Sequence, residues 1–543
     1  MAYNEIYFYL NDIGARVIEE NWQAEDRYHL GKIIAYCLKA DPEFVMQIDG
    51  ATNQSETNES VYYRSSSCAV SLGSMGLREG DVMVLMGPNH IDLCIPHYAA
   101  LYLGMPIASI DETLGVNELE DTFNIIKPKV IFCQREKTAD IEQALRQAKI
   151  EAKIVTFNEG SGHTTLAKMV KNAFDEAVIH FTPTHFDATV TPAYLTCTSG
   201  TTGTPKAATL THMNLVIGIS YLWQTFTKFP SPTRMLLLMS PIQWLTAGMQ
   251  LLFSPIVKVT RLQSSKPMTP DHFADLLNKY KPTFTVGSPV LLNSMLSVSD
   301  KCDFSCFEAV LMGGSAVSEE LIEKVKAVTK SDRVFGVYGM SEIAGAAFRN
   351  IYTPPKGSSG SAGGMLEYRL VDPISKEDVS EANAPGELWL RGRQVFMGYY
   401  NKPAMTAETL TEDGWIKTGD IFYRDEHMHF YFVERYKSLL KYRNHQVSPA
   451  EVEAVIRKHP GVLDVSVTGI PDEECGDLVV ACVIPKPGCA PTAQEIKDLV
   501  KESLTDSKQL RGGVIFLKEF PMTSSSKINR KKIKEIALTM NRE

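Results

Sequence analysis

The run 195–206, Leu-Thr-Cys-Thr-Ser-Gly-Thr-Thr-Gly-Thr-Pro-Lys, joins an apolar approach to a loop of hydroxyls and glycines that ends on one lysine. Its residue types suit a polyphosphate. Gly200 and Gly203 let the backbone come close, Thr198, Ser199, Thr201 and Thr202 add hydroxyl donors, and Lys206 adds a mobile positive charge. The order is not GxxxxGK[ST], so this is no Walker A loop. An ordinary surface loop has the same composition, and the meaning of the run depends on blocks further along the chain.

Val337-Tyr338-Gly339-Met340-Ser341-Glu342 follows an apolar stretch and offers an aromatic face for adenine and a carboxylate, Glu342, for Mg²⁺ near phosphate oxygens. Gly313, Gly314, Ser315 and Ala316 can bring bare backbone against the same base. In Thr418-Gly419-Asp420, which reads as a polar strand end, Asp420 has two acceptor oxygens for a pair of ribose hydroxyls. Arg435 lies 15 residues on and can hold ribose or phosphate from the other side. Lys527 follows a hydroxyl-rich turn and can bring positive charge to a phosphate under in-line attack. Each block alone has a plainer meaning: a buried tyrosine with a helix-start glutamate, a surface ion pair, a basic tail continued by Lys531, Lys532 and Lys534.

These residues need elements to carry them. A chain of 543 residues requires two or more domains, and 44% hydrophobic with 22% charged residues is a globular composition. The apolar runs 82–86, 130–133, 152–157 and 308–312 read as buried strands with helical segments between them, the pattern of βαβ units in mostly parallel sheets. After 355–360 shorter alternating pieces such as 386–392 indicate a smaller antiparallel unit. Near 434–437 the composition turns basic. From Tyr436 onward 17 Lys and Arg face 14 Asp and Glu, a segment of +3 in a chain of -9. That contrast fits a small domain closing over an anion, and the overall charge argues against general nucleic-acid binding. Ser448-Pro449-Ala450-Glu451 starts a helix, with Ser448 as cap and Glu451 in the capping-box position. The ten cysteines lack metal-ligand spacing, and no signal segment, long apolar span or Ser-Lys-Leu ending is seen, so the cytoplasm is the expected location.

All these blocks occur in the order found in the adenylate-forming superfamily, and the chain resembles that family along nearly its whole length. It is most similar to insect luciferases and their acyl- and aryl-CoA ligase relatives through Thr418–Gly419–Asp420, the stretch 435–453 and the stretch 510–514. The resemblance implies an α/β fold. Residues 1–434 would form a large N-terminal portion of several subdomains, mostly parallel sheets plus a small antiparallel barrel-like unit, and residues 435–543 a small mobile α+β lid. It assigns 199–206 to phosphate, Tyr338 to adenine, Glu342 to Mg²⁺, and Asp420 and Arg435 to ribose. Lys527 would serve adenylation, and Lys441 would replace it after the lid turns.

The implied chemistry is ATP-dependent adenylation of a small carboxylic acid with pyrophosphate release. The second step is then either oxidation of a luciferin by O₂ with light emission, the leading expectation, or thioester formation with CoA. No nucleic acid, stable membrane insertion or obligate protein partner is expected. Departures from beetle luciferases gather where the acid would bind. Gly218 replaces a pocket arginine, and 241–245, Pro-Ile-Gln-Trp-Leu, replaces an aromatic-His-His-Gly segment, so that Trp244 stands at the histidine position. Trp244 would cap an aromatic or acyl pocket and fill space there, whereas Gly218 would leave space. Ser526 replaces the glycine before the catalytic lysine, stiffening that turn.

Overall fold

Val130–Cys133 forms a strand over its whole apolar run, Met83–Leu85 and Lys153–Thr156 form within theirs, and Ala309–Gly313 overlaps its run and ends one residue beyond it. The computed structural model of the chain describes residues 5–21, 23–173, 175–199, 205–223, 234–349, 354–363, 365–443, 445–472, 474–523 and 527–543. Packing divides it into two units, residues 1–367 with 390–416 and residues 368–389 with 417–543. The expected boundary at 434/435 falls inside the second unit.

The first unit holds two large sheets and a two-stranded ribbon, Gly339–Met340 with Gly345–Ala346. One has eight strands, with Pro192–Ser199, Ile107–Ser109, Met83–Leu85, Val130–Cys133, Lys153–Thr156 and Thr164–Thr165 parallel in that order. Pro205–Thr211 and Gly398–Tyr399 extend it antiparallel at one edge. The other has seven strands, parallel from Val334–Val337 to Val45–Asp49 and closed by antiparallel Ser55–Thr57. Helices such as Cys94–Leu103, Val116–Ile126 and Thr138–Ala148 make the crossovers that parallel pairing requires. This is why the strand runs are apolar on both faces: Val82, Met83, Val84, Leu85 and Met86 are all buried.

In the second unit, Ile416–Arg424 and His429–Arg435 form an antiparallel hairpin. Beyond it, Val462–Asp472 and Gly476–Pro485 pair antiparallel, and Gly513–Phe516 adds a parallel strand. Side chains alternate along Gly476–Pro485. Val479, Ala481 and Val483 pack with Val452, Ile456, Ile496 and Val500 of two helices, while Val480 and Cys482 pack with Ile533 and Ala537 of Arg530–Thr539. Helix Pro449–Ile456 starts where the sequence places it, and Ser448 accepts the Glu451 N–H. Glu451 does not complete a capping box. Its carboxylate takes Lys508 at 2.6 Å, and Glu434 Oε2 accepts the Ala450 N–H at 3.0 Å. All ten cysteines are free. Among the described residues no helix is long and apolar enough to cross a membrane.

Candidate active site

The first unit brings Lys206 and Glu342 together, 136 residues apart in sequence. Lys206 lies on Pro205–Thr211, directly across from Thr198 at the other end of the loop. Its Nζ is 3.1 Å from Glu342 Oε1. Glu342 sits in a 3-10 turn, Ser341–Ile343, with only 8% of its side chain exposed. The turn is held from outside: Phe396 N–H donates to the Glu342 carbonyl at 2.8 Å, and Gln394 Nε2 donates to the carbonyls of Ile343 and Ala346.

A residue the sequence reading missed completes the group. Tyr399 OH donates to Glu342 Oε1 at 2.6 Å and accepts from Lys206 Nζ at 2.5 Å. No motif pointed to it, because its position depends on strand register. Tyr399 pairs with Ala208, which places it diagonally across from Lys206 on the same face. Gly398 beside it is required by the fold: its φ of 128° and its closeness to Thr406 leave no room for a side chain.

Tyr338 follows strand Val334–Val337, its ring 5.7 Å from Phe348. Strand Ala309–Gly313 ends at Gly314, whose φ of 90° turns the chain before Ser315 and Ala316. Gly339, Met340 and Ser341 lead from Tyr338 to Glu342. Gly339 packs so closely on the Gly345 carbonyl that a Cβ would lie 2.1 Å from its oxygen. Trp244 starts helix Leu245–Ile256. Its indole is half-buried, and Nε1 is enclosed without a hydrogen-bond partner among the described residues. Behind that helix His97, driven down to about 3 by burial, bonds Tyr194 OH at 2.7 Å, which in turn donates to the Gly248 carbonyl.

Gly218 corrects an expectation: it does not leave space. A Cβ there would stand 2.4 Å from the Ala344 carbonyl oxygen and 3.3 Å from Ala344 Cβ and Met249 Cε. The volume a side chain would occupy is filled by the turn that carries Glu342.

The second unit gathers Asp420, Arg435 and Lys527. Asp420 is not at a strand end but inside Ile416–Arg424, directly opposite Arg435 in the hairpin. Gly419 takes a φ of 71° within that strand, and its N–H goes to Glu387 Oε1 at 3.1 Å. Thr418 Oγ1 donates to the Leu388 carbonyl and receives the Asp420 N–H. These bonds fix Asp420, which is 2% exposed, while Arg435 Nε approaches Oδ1 at 3.1 Å from an exposed position.

Lys527 is not part of a loose tail. The Thr523 N–H bonds the Lys527 carbonyl at 2.7 Å, Asn529 caps the helix that follows, and Arg530 reaches buried Glu453 at 3.3 Å. Crowding by protein atoms and the positive charge of Arg435 lower the Lys527 ammonium below the ordinary lysine range, and Asp420 opposes them.

Gly200, Thr201, Thr202, Gly203 and Ser526 lie outside the described residues, as do the side chains of Thr198, Ser199 and Lys441. The backbone of Lys441 is in strand Leu440–Tyr442, opposite Gln446.

A large α/β unit with a lysine–glutamate site and a smaller α+β unit carrying Asp420, Arg435 and Lys527 define a nucleotide-using enzyme of the adenylate-forming class. The chain belongs to the AMP-binding enzyme family, whose model matches residues 37–400, and the AMP-binding enzyme C-terminal domain matches residues 451–527. It is 31% identical over 501 residues to luciferin 4-monooxygenase of Photuris pensylvanica, covering 90% of this chain and 91% of that one. It is 29% identical over 518 residues to 4-coumarate-CoA ligase 1 of Narcissus pseudonarcissus, covering 92% of each. Among solved structures it matches the luciferase-like enzyme from the nonluminescent Zophobas morio mealworm with a TM-score of 0.69 and 29% identity, over 75% of this chain and 95% of that one. The protein is thus an adenylate-forming enzyme that binds ATP and activates a small carboxylic acid.

A divalent cation fits the first unit through Glu342. Both hydrogen bonds to its carboxylate fall on Oε1, and Oε2 has none among the described residues. Mg²⁺ commonly takes one or two protein carboxylates and completes its shell with phosphate and water. No cluster of three or more His, Cys, Asp or Glu able to hold a metal occurs among the described residues, so the fit is to a cation carried with the nucleotide.

Proposed function

We propose that the enzyme is an acid–CoA ligase. In the first half-reaction a carboxylate oxygen of the acid attacks the α-phosphorus of ATP, the bond to the β-phosphate oxygen breaks, and pyrophosphate leaves. In the second, the CoA thiol attacks the acyl carbon, AMP leaves and the thiol proton passes to solvent. Residues 198–203 and Lys206 hold the phosphates, and Tyr338 with the backbone of 314–316 holds adenine. Gly339, Met340 and Ser341 shape the approach to Glu342. Asp420 and Arg435 hold ribose, and Lys527 offsets charge on the phosphate under attack. A Mg²⁺ ion on Glu342 supplies further charge neutralisation. Residues 435–543 act as a lid that exchanges Lys527 for Lys441 between the two steps.

The observation that carries the choice of second step is the segment 241–245. Proline, isoleucine, glutamine, tryptophan and leucine provide no base near neutral pH, and the Trp244 indole is a donor only. Light emission from a luciferyl adenylate starts with loss of a carbon-bound proton, whereas thiol attack on an acyl-adenylate needs no such step. The likeness to the 4-coumarate-CoA ligase and to the luciferase-like enzyme of the nonluminescent mealworm supports the same reading. Luciferin oxidation by O₂ is the second reading, favoured by the 31% identity to a luciferin 4-monooxygenase.

A panel of carboxylic acids, scored for pyrophosphate release and loss of free CoA thiol with light recorded in parallel, separates the two. The ligase reading expects AMP and thiol loss in equal amounts in the dark. Light dependent on O₂ without thiol loss would overturn it. Trp244→Ala is expected to raise KM for the acid about tenfold, the loss of one large aromatic wall, with KM for ATP unchanged. Equal rises in both would remove Trp244 from the acid pocket.

A further inference from the structure

Lys206 has two tasks that compete. In the structure its ammonium is spent on Glu342 Oε1 and Tyr399 OH, yet the proposed phosphate role turns it toward the nucleotide. When it turns, a carboxylate with 8% of its side chain exposed loses its cation. A buried charge without compensation is costly, and it would draw either the lysine back or the carboxylate out of place.

Tyr399 is built to prevent this. The residue is 5% exposed, its ring set edge-on against Phe396 with centroids 5.0 Å apart, and its backbone N–H is tied to Thr406 Oγ1 at 2.9 Å. The hydroxyl therefore has a fixed position, 2.6 Å from Oε1. It is a neutral donor, so it satisfies the oxygen without neutralising the carboxylate. It also leaves Oε2 as the oxygen that carries no protein hydrogen bond among the described residues.

We propose that Tyr399 is a positioning residue that holds Glu342 Oε1 while Lys206 engages phosphate, presenting Oε2 to a divalent cation. The inference rests on the proposed cation role of Glu342. Phenylalanine at this position keeps the ring beneath the Lys206 ammonium, now 4.2 Å from its centroid, and removes only the hydroxyl.

The test is calorimetric binding of ATP to the full chain across a Mg²⁺ series without acid, so that no turnover is needed. Tyr399→Phe is expected to raise the Mg²⁺ concentration for half-maximal ATP binding about tenfold, the scale of one charge-assisted hydrogen bond. ATP binding without Mg²⁺ is expected to change less than about twofold, and combining the change with Glu342→Gln should add nothing to Glu342→Gln alone. Equal weakening with and without Mg²⁺, or full additivity in the double variant, would show that Tyr399 acts on packing or on nucleotide directly and would overturn the inference. If Glu342→Gln itself left the Mg²⁺ dependence unchanged, the cation role of Glu342 would fail first, and the inference with it.

Discussion

Lys527→Ala is expected to slow acid-dependent ATP–pyrophosphate exchange by about 10²–10³-fold, with ATP affinity changed less than about threefold, because a preorganised charge aimed at a transition state matters more there than in the ground state. The structure supports this asymmetry. Lys527 is tied through its backbone to Thr523 and followed by a docked helix, and no side-chain bond holds its ammonium among the described residues.

Its pH dependence follows from its surroundings. Crowding and Arg435 lower its affinity for the proton, so the active ammonium is lost as pH rises through a value below the ordinary 10.5 of lysine. The alkaline limb of the exchange rate should therefore start early. Arg435→Ala removes a like charge and should move that limb to higher pH, whereas Asp420→Asn removes an opposite charge and should move it lower. Limbs that stay fixed in both variants would show that Lys527 does not control the step. A Lys527→Ala protein with unimpaired exchange would remove the residue from the mechanism.

The sequence exposed most of this machinery, and the parts it hid share a cause. Val130–Cys133 was legible because four apolar residues buried on both faces tolerate no other placement. Asp420 and Arg435 were legible as partners through their spacing, although only the ladder shows that they are cross-strand neighbours within a continuous hairpin. The docking of Arg530–Thr539 was visible in principle, since Ile533 and Ala537 stand four apart and form its buried stripe, but the lysines around them masked it. Tyr399 was not legible at all. Its meaning comes from a two-residue strand paired in one register with a strand far earlier in the chain, and no local pattern encodes that (Tyr399 pairs Ala208, Gly398 pairs Thr209). Gly218 misled for a related reason: a missing side chain reads as space until the neighbour that fills the space is known.

That neighbour sets the sign of the second large effect. Gly218→Ala is expected to destabilise the protein by about 1–2 kcal/mol, although alanine in a helix interior ordinarily gains about 1 kcal/mol over glycine. The helix His212–Trp223 would welcome the methyl group, but its Cβ would meet the Ala344 carbonyl oxygen at 2.4 Å. A backbone oxygen cannot rotate away as a side chain can. Ala344 already has a φ of 52°, and Gln394 pins the carbonyls of Ile343 and Ala346 on either side. Relief must come from moving the turn, and Glu342 moves with it. Exchange activity should accordingly fall by more than about tenfold, a larger loss than the fall in stability alone would cause, since a misplaced catalytic group is penalised steeply. Gly73 provides the control. It also lies in a helix, Asn58–Ser74, but beyond its chain neighbours and the helix's own backbone no atom stands within 4 Å of the Cβ it would gain. Gly73→Ala should therefore raise the melting temperature slightly and leave exchange unchanged. Restoring the arginine of beetle luciferases through Gly218→Arg should not open a luciferin pocket but unseat the Glu342 turn altogether. If Gly218→Ala proved as stabilising as Gly73→Ala, with exchange intact, the close approach of helix and turn would be refuted, and the acid pocket would again have an open wall at that position.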